Sequence, residues 1–117
     1  MSDLSRTDVI KLIAVATKPL NLRGVDLRGV DLTDLDLTGV NLTLANLTGA
    51  NLTGAYLIES TLVGANLTDA NLTDSNLTGA YLIESTLVGA NLTNSNIDAA
   101  DFTGNEQILA NIRRRIL

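Results

Sequence analysis

The chain has 117 residues, a formal net charge of −5, and neither cysteine nor histidine. Disulfides and thiolate metal sites are thereby excluded, and the commonest metal ligand and general base is missing. Only 3% of residues are aromatic against 45% hydrophobic, so a single domain of this length must build its core from small and medium side chains.

In chain order, the first predicted element is a helix over residues 5–16. Ser5 stands at its N-cap, Asp8 three residues later approximates a capping box, and Pro19 ends it. Val9, Ile10, Leu12, Ile13 and Ala16 supply the apolar face. Lys11 interrupts this stretch, and Asp3 and Asp8 spoil a basic leader, so it does not read as a secretion signal. No segment reaches the ~18 apolar residues of a membrane span.

From Leu22 every fifth residue is leucine as far as Leu92, and Ile97 and Phe102 extend the column to seventeen positions. Neither a helix nor a strand has that period, which predicts a repeat that turns a corner every five residues. Two residues before each column member stand Leu20, Val25, Val30, Leu35 and Val40, then only Ala or Ser from Ala45 to Ala100. The two positions share parity and are expected to point inward, with Ser60, Ser75, Ser85 and Ser95 then needing backbone partners. The flanking Asn/Asp and Thr positions point out. All nine glycines fall in the fifth position, together with Asp34, Glu59, Asp69, Asp74, Glu84 and Asn94. Glycine marks the corner, and with other residues in the same column not every corner need be the same turn type.

The units Ala50–Gly54 (Ala-Asn-Leu-Thr-Gly), Ala65–Asp69 and Val25–Gly29 resemble the pentapeptide-repeat family, and the resemblance covers roughly residues 20–104. It implies an all-β solenoid, a right-handed quadrilateral β-helix with four pentapeptides per coil and about four coils. The expected organisation is an N-terminal capping helix in 1–19, the β-helix in 20–104, and a helical cap in 105–117. In that last segment Ile108, Leu109, Ile112 and Ile116 recur at helical spacing, as a cap or a dimer contact. Seven Asn-Leu-Thr sequons follow from the repeat itself, and the chain reads as a bacterial cytoplasmic protein.

Residues 46–70 and 71–95 are identical at 21 of 25 positions. A copy of five repeats, rather than four, moves each duplicated side chain a quarter-turn around the coil. This favours filler over a docking motif read on one face. Against that, the rotation stacks Val63 on Ile83, with Leu44 close by, Tyr81 beside Ile83, Tyr56 and Ile58 one face back, and Val88 one face on. These seven residues are the candidate interaction patch.

Charge is segregated. Between Arg28 and Arg113 there are ten acids and no base, the first 28 residues carry +2, and Arg113–Arg115 add +3. An acidic rod disfavours direct nucleic-acid binding. Some members of the resembled family mimic DNA and occupy gyrase, which makes an acidic gyrase-directed mimic the alternative function. A Thr/Asn ladder facing ice is a second alternative. The absence of histidine, cysteine and a phosphate-binding loop leaves no catalytic, cofactor or metal residues to nominate. The expected function is a non-catalytic scaffold or interaction module with an unknown protein partner. It would make no membrane contact and be a monomer or a weak homodimer through a terminal helix.

Overall fold

The leucine column lines the interior along its whole length: Leu27 to Leu87 are buried to 2% exposure or less. In the computed structural model, which describes residues 2–105, each residue before a column leucine forms a parallel bridge with its counterpart twenty residues on, from Asn21 with Asn41 to Tyr81 with Asp101. Four bridges occur per twenty residues, each a single rung rather than an extended strand. The expected C-terminal cap, with Ile108, Leu109, Ile112 and Ile116, lies outside the described residues.

The repeat at Asn46–Ala50 shows where the backbone donors go. Asn46 N–H donates to Val25 O of the preceding coil (3.0 Å), while Leu47 and Gly49 donate to Asn66 O and Thr68 O of the next (2.7 and 2.9 Å). Ala50 N–H closes the corner on Leu47 O (2.9 Å), and Thr48 N–H is taken by the Asn46 side-chain Oδ1 (3.1 Å). All five donors are thus satisfied within one unit and its two neighbours. The side-chain bond is an Asx turn, which explains why Asn or Asp precedes the leucine in most units.

The mixed corner residues, which left the turn type open, adopt one conformation: every corner is left-handed at the same position. All seventeen corner residues have φ between 57° and 90°, including eight that are not glycine: Asp34, Leu44, Glu59, Asp69, Asp74, Glu84, Asn94 and Ala99. Only the third residue of each four-residue turn is left-handed, which is the requirement of a type II turn. At Leu44 the corner N–H is held by Val63 O of the next coil (2.9 Å) and the following Asn46 N–H by Val25 O of the preceding one (3.0 Å), and these bonds override side-chain preference.

Helix α1, Arg6–Val15, has the expected Ser5 cap and a complete capping box with Asp8. Val9 is fully buried, and Leu4, Leu12 and Ile13 join the same apolar cluster as the bulky Val30 of the first coil and Val40 at the start of the second. Ile10 and Ala16, expected on that face, are exposed instead. Val9, Leu12 and Ile13 already form the i, i+3, i+4 stripe, and Ile10 lies off it.

The cap also supplies polar partners for the first coil. Asp3 N–H donates to Asp26 O (2.7 Å), its carboxylate accepts Asp26 N–H (3.0 Å), and Arg6 Nη1 donates to Asp31 O and Thr33 O (3.2 and 3.0 Å). In later coils the equivalent carbonyls receive backbone donors from the coil before. Asp3 and Arg6 therefore stand in for a missing turn.

Three of the four inward serines bond the carbonyl three residues back, Ser60 to Leu57, Ser85 to Leu82 and Ser95 to Leu92, at 2.7–2.9 Å. The buried Ser75 hydroxyl has no partner among the described residues. Ser75→Ala is accordingly expected to raise stability by about 1 kcal/mol, and Ser60→Ala to lower it by about as much. Urea unfolding midpoints shifting the same way in both variants would show that the two hydroxyls are equivalent.

Candidate interaction surface

The four sides of the solenoid can be named by a central leucine. The Leu62 face carries the outward pairs Asn21/Arg23, Asn41/Thr43, Thr61/Val63, Tyr81/Ile83 and Asp101/Thr103. The Leu57 face carries Tyr56/Ile58, and the Leu67 face carries Thr86/Val88. Stacking follows the ladder: Thr61 bridges Tyr81, and Gly64 N–H donates to Ile83 O (2.9 Å). Val63 and Ile83 are therefore successive steps of one outer column, about 4.8 Å apart.

Of the seven candidate residues, four come together: Val63, Tyr81 and Ile83 on the Leu62 face, and Leu44 at its edge. Tyr56 and Ile58 lie across the Glu59 corner, and Val88 lies across the Glu84 corner. Leu44, Tyr56, Tyr81 and Val88 are 47–63% exposed, whereas Ile58, Val63 and Ile83 are half-buried.

These repeats share a chemistry that sequence reading did not isolate. Thirteen units carry Asn or Asp before the leucine, and in each its Oδ1 accepts the N–H two residues on, from Asn21 with Arg23 to Asp101 with Thr103. Tyr56, Thr61, Tyr81 and Thr86 replace the acceptor in the remaining four. In those same four units the residue after the leucine is Ile58, Val63, Ile83 or Val88. The polar couple is thus exchanged as a unit: loss of the Asx acceptor accompanies loss of the threonine hydroxyl that it also binds. The signal lay in the sequence as a covariation between positions two apart.

The acids do not form one site. Asp31, Asp34 and Asp36 are the densest cluster, but Asp31 pairs with Arg6 (3.4 Å) and accepts from Thr33, while Asp36 accepts Thr38 N–H (3.1 Å). Among the described residues no group of acids could hold a metal ion. Asp26 is gripped by Arg28 (2.7 Å), and the guanidinium with the Arg28 N–H lowers its pKa to about 2. A lowered folded pKa means stabilisation that is full above the ordinary aspartate value of 3.8 and fades as pH falls toward about 2. Arg28→Ala should bring the Asp26 titration back toward the ordinary value, as read by carboxyl NMR. Asp31, Asp36 and Asp101 are lowered by hydrogen bonds from their threonine partners, so they shift stability in the same direction.

A shallow apolar groove of about 360 Å³ runs along α1 between Leu4, Leu12 and Val15, flanked by Asp8 and Lys11; no sequence expectation covered it. Among the described residues no helix is long and apolar enough to cross a membrane.

A parallel ladder closing every twenty residues, with a left-handed corner every five, defines the chain as a β-solenoid of five-residue repeats. The family model for pentapeptide repeats matches in eight copies over residues 20–49, 36–74, 50–87 and 75–104, and the chain belongs to that family. A pentapeptide repeat protein from Nostoc PCC 7120 is 33% identical, covering 70% of this chain and 73% of its own, with a TM-score of 0.43. One from the Arabidopsis thaliana thylakoid lumen is 31% identical over 80% and 75%, TM-score 0.38. QnrB1, a plasmid-mediated fluoroquinolone resistance protein, is 22% identical over 76% of this chain and 42% of its own, TM-score 0.54; that likeness is one of fold. Comparison with curated proteins yields no match.

Proposed function

We propose that the chain is a non-catalytic interaction module whose contact surface is the Leu62 face with its edges, binding a protein partner through Val63, Tyr81, Ile83 and Leu44. The observation that carries this reading is the paired exchange of Asn and Thr for Tyr or Thr with Ile or Val. It gives up an Asx bond in four repeats and sets two of them one above the other on a face with no charge from Asn41 to Ile83. In this reading the solenoid is a right-handed four-sided coil covered by α1 at its N-terminal end, monomeric or weakly dimeric, with no direct nucleic-acid or membrane contact.

The double variant Val63→Thr, Ile83→Thr tests it. The variant is expected to keep the melting temperature within a few degrees while losing the partner that wild type retains in a pull-down from its own organism. Equal capture by both forms would remove the Leu62 face from consideration, and a change in sedimentation would assign the face to self-association.

The acidic body supports the gyrase-directed alternative, but the acids are spread over all four faces and corners instead of forming a stripe. A supercoiling assay unaffected by micromolar excess would end it. The ice-facing alternative loses support from the hydroxyls of Thr53, Thr73 and Thr93, which donate to Asn51, Asn71 and Asn91 at 2.6–2.7 Å and so are not free to order water.

A further inference from the structure

The four sides differ in where their charges stand. The Leu62 face carries Arg23 on its first rung and Asp101 on its last, with no charge on the three rungs between. Asn21 bridges Asn41, Asn41 bridges Thr61, Thr61 bridges Tyr81 and Tyr81 bridges Asp101. Both charged ends therefore lie two coils from the central Thr61/Val63 rung, about 10 Å along the axis. Among the described residues neither Arg23 nor Asp101 has an ion-pair partner; the ion pairs there are Arg6–Asp31 and Arg28–Asp26. Among those residues the other faces lack this arrangement. The Leu57 face has an acid at each end, Asp36 and Asp98; the Leu67 face pairs Asp26 with Arg28 on one rung; the Leu72 face has Asp31 alone, held by Arg6.

We infer, on the reading of the Leu62 face as the contact surface, that its partner is a second copy of this chain, the two solenoids lying face to face and antiparallel about a twofold axis at the Thr61/Val63 rung. A closed pair is isologous, so each contact made by one copy is repeated with the roles exchanged. A twofold axis running across the face inverts the order of the rungs. It sets Arg23 over the rung of the partner's Asp101, and Asp101 over the rung of the partner's Arg23. Laid parallel, the same faces would set Arg23 over Arg23 and Asp101 over Asp101. Charge thus selects the antiparallel pair. It also rejects pairing through the Leu57 face, whose acids would meet in either orientation.

At the centre the two Val63 side chains meet across the axis with the two Ile83 side chains beside them, an apolar middle inside polar rungs. No insertion interrupts the repeats from Asn21 to Thr103, so two such faces can approach to the roughly 10 Å of stacked sheets. Five rungs are about 24 Å tall, and the face offers roughly 500 Å² per copy against about 800 Å² in a standard interface. The dimer is therefore weak, with a dissociation constant on the order of 100 µM.

Sedimentation equilibrium at concentrations above and below that value should show the mass of wild type rising from monomer toward dimer. Arg23 is exposed, so Arg23→Asp keeps the fold; it sets acid over acid at both ends and should weaken association at least about tenfold. Asp101→Lys sets base over base with the same effect, and the Asx bond it gives up is one that the Tyr56 and Tyr81 units already lack. Arg23→Asp combined with Asp101→Lys exchanges the two signs and should recover most of the loss. A wild type still monomeric at about ten times that concentration, an Arg23→Asp variant that associates as wild type does, or a double variant as weak as the single ones overturns the inference. After any of these, the Val63→Thr, Ile83→Thr pull-down separates the two failures. Loss of a captured protein keeps the Leu62 face as a contact for a different partner, whereas unchanged capture removes both readings.

Discussion

Truncating Leu62 to alanine is expected to destabilise the protein by about 3–5 kcal/mol, near the upper end for a buried leucine. Leu62 is fully buried, and its interior neighbours are the leucines of adjoining coils and the alanine and serine column. That interior is one side chain thick across each coil, and the flanking rungs are held by ladder bonds at 2.7–3.0 Å. The backbone therefore cannot close on a cavity, and nothing replaces the dispersion attraction of the missing methyl groups. Stability in a solenoid is a sum of unit and nearest-neighbour terms, so a gap at the middle weakens two interfaces. The half-buried Ile97 occupies the same column, and Ile97→Ala should cost only about 1–2 kcal/mol. Urea unfolding of both variants checks the contrast. Equal losses would mean that the column does not act as one continuous core.

The second large effect is expected at the N-terminal cap. Val9 is the fully buried residue of α1, and Val9→Asp would place a carboxylate where no partner stands. Undocking the helix is less costly than burying that charge, and the apolar burial forfeited with it is worth about 3 kcal/mol. Release of α1 would also withdraw Asp3 and Arg6, leaving the carbonyls of Asp26, Asp31 and Thr33 without their donors. An uncovered coil end is a template for edge pairing. Amides of residues 9–15 are thus expected to lose protection from hydrogen exchange, and sedimentation to show concentration-dependent association. Protected helix amides in the variant would show that Val9 does not hold the cap.

The architecture was legible because its period has one geometric solution: seventeen column positions at a spacing of five leave only a coil with corners. The cap was nearly as plain, since Ser5 and Asp8 announce a capping box. Ile10 was misplaced because apolar character alone does not say which i, i+3, i+4 stripe meets the core, and Ala16 because the helix ends at Val15 and leaves it as an extended C-cap. Leu44 and Ala99 escaped recognition as corners because neither favours a left-handed backbone; the constraint comes from neighbouring coils, not from the residue. The Asx bonds escaped for a different reason. An Asn pointing outward looks solvated in sequence, and only its bond to the N–H two residues on shows that it belongs to the backbone network.

That bond shapes how the molecule can change over evolutionary time. Of the five N–H groups in a unit, four are held by main-chain carbonyls and one by the Asn or Asp side chain. The last is also the one nearest water. Exchanging the outward couple removes the two hydrogen bonds that the Asn Oδ1 accepts from the threonine N–H and hydroxyl, each worth about 0.5–1.5 kcal/mol, and leaves the ladder, the corner and the core as they were. Each unit is therefore a tile whose outward couple can change while the rest stays, and two neighbouring tiles, Tyr56/Ile58 and Thr61/Val63, differ here and recur by duplication as Tyr81/Ile83 and Thr86/Val88. A fold in which recognition chemistry can be altered two residues at a time, on any of four sides, can acquire a new partner without first solving a new folding problem.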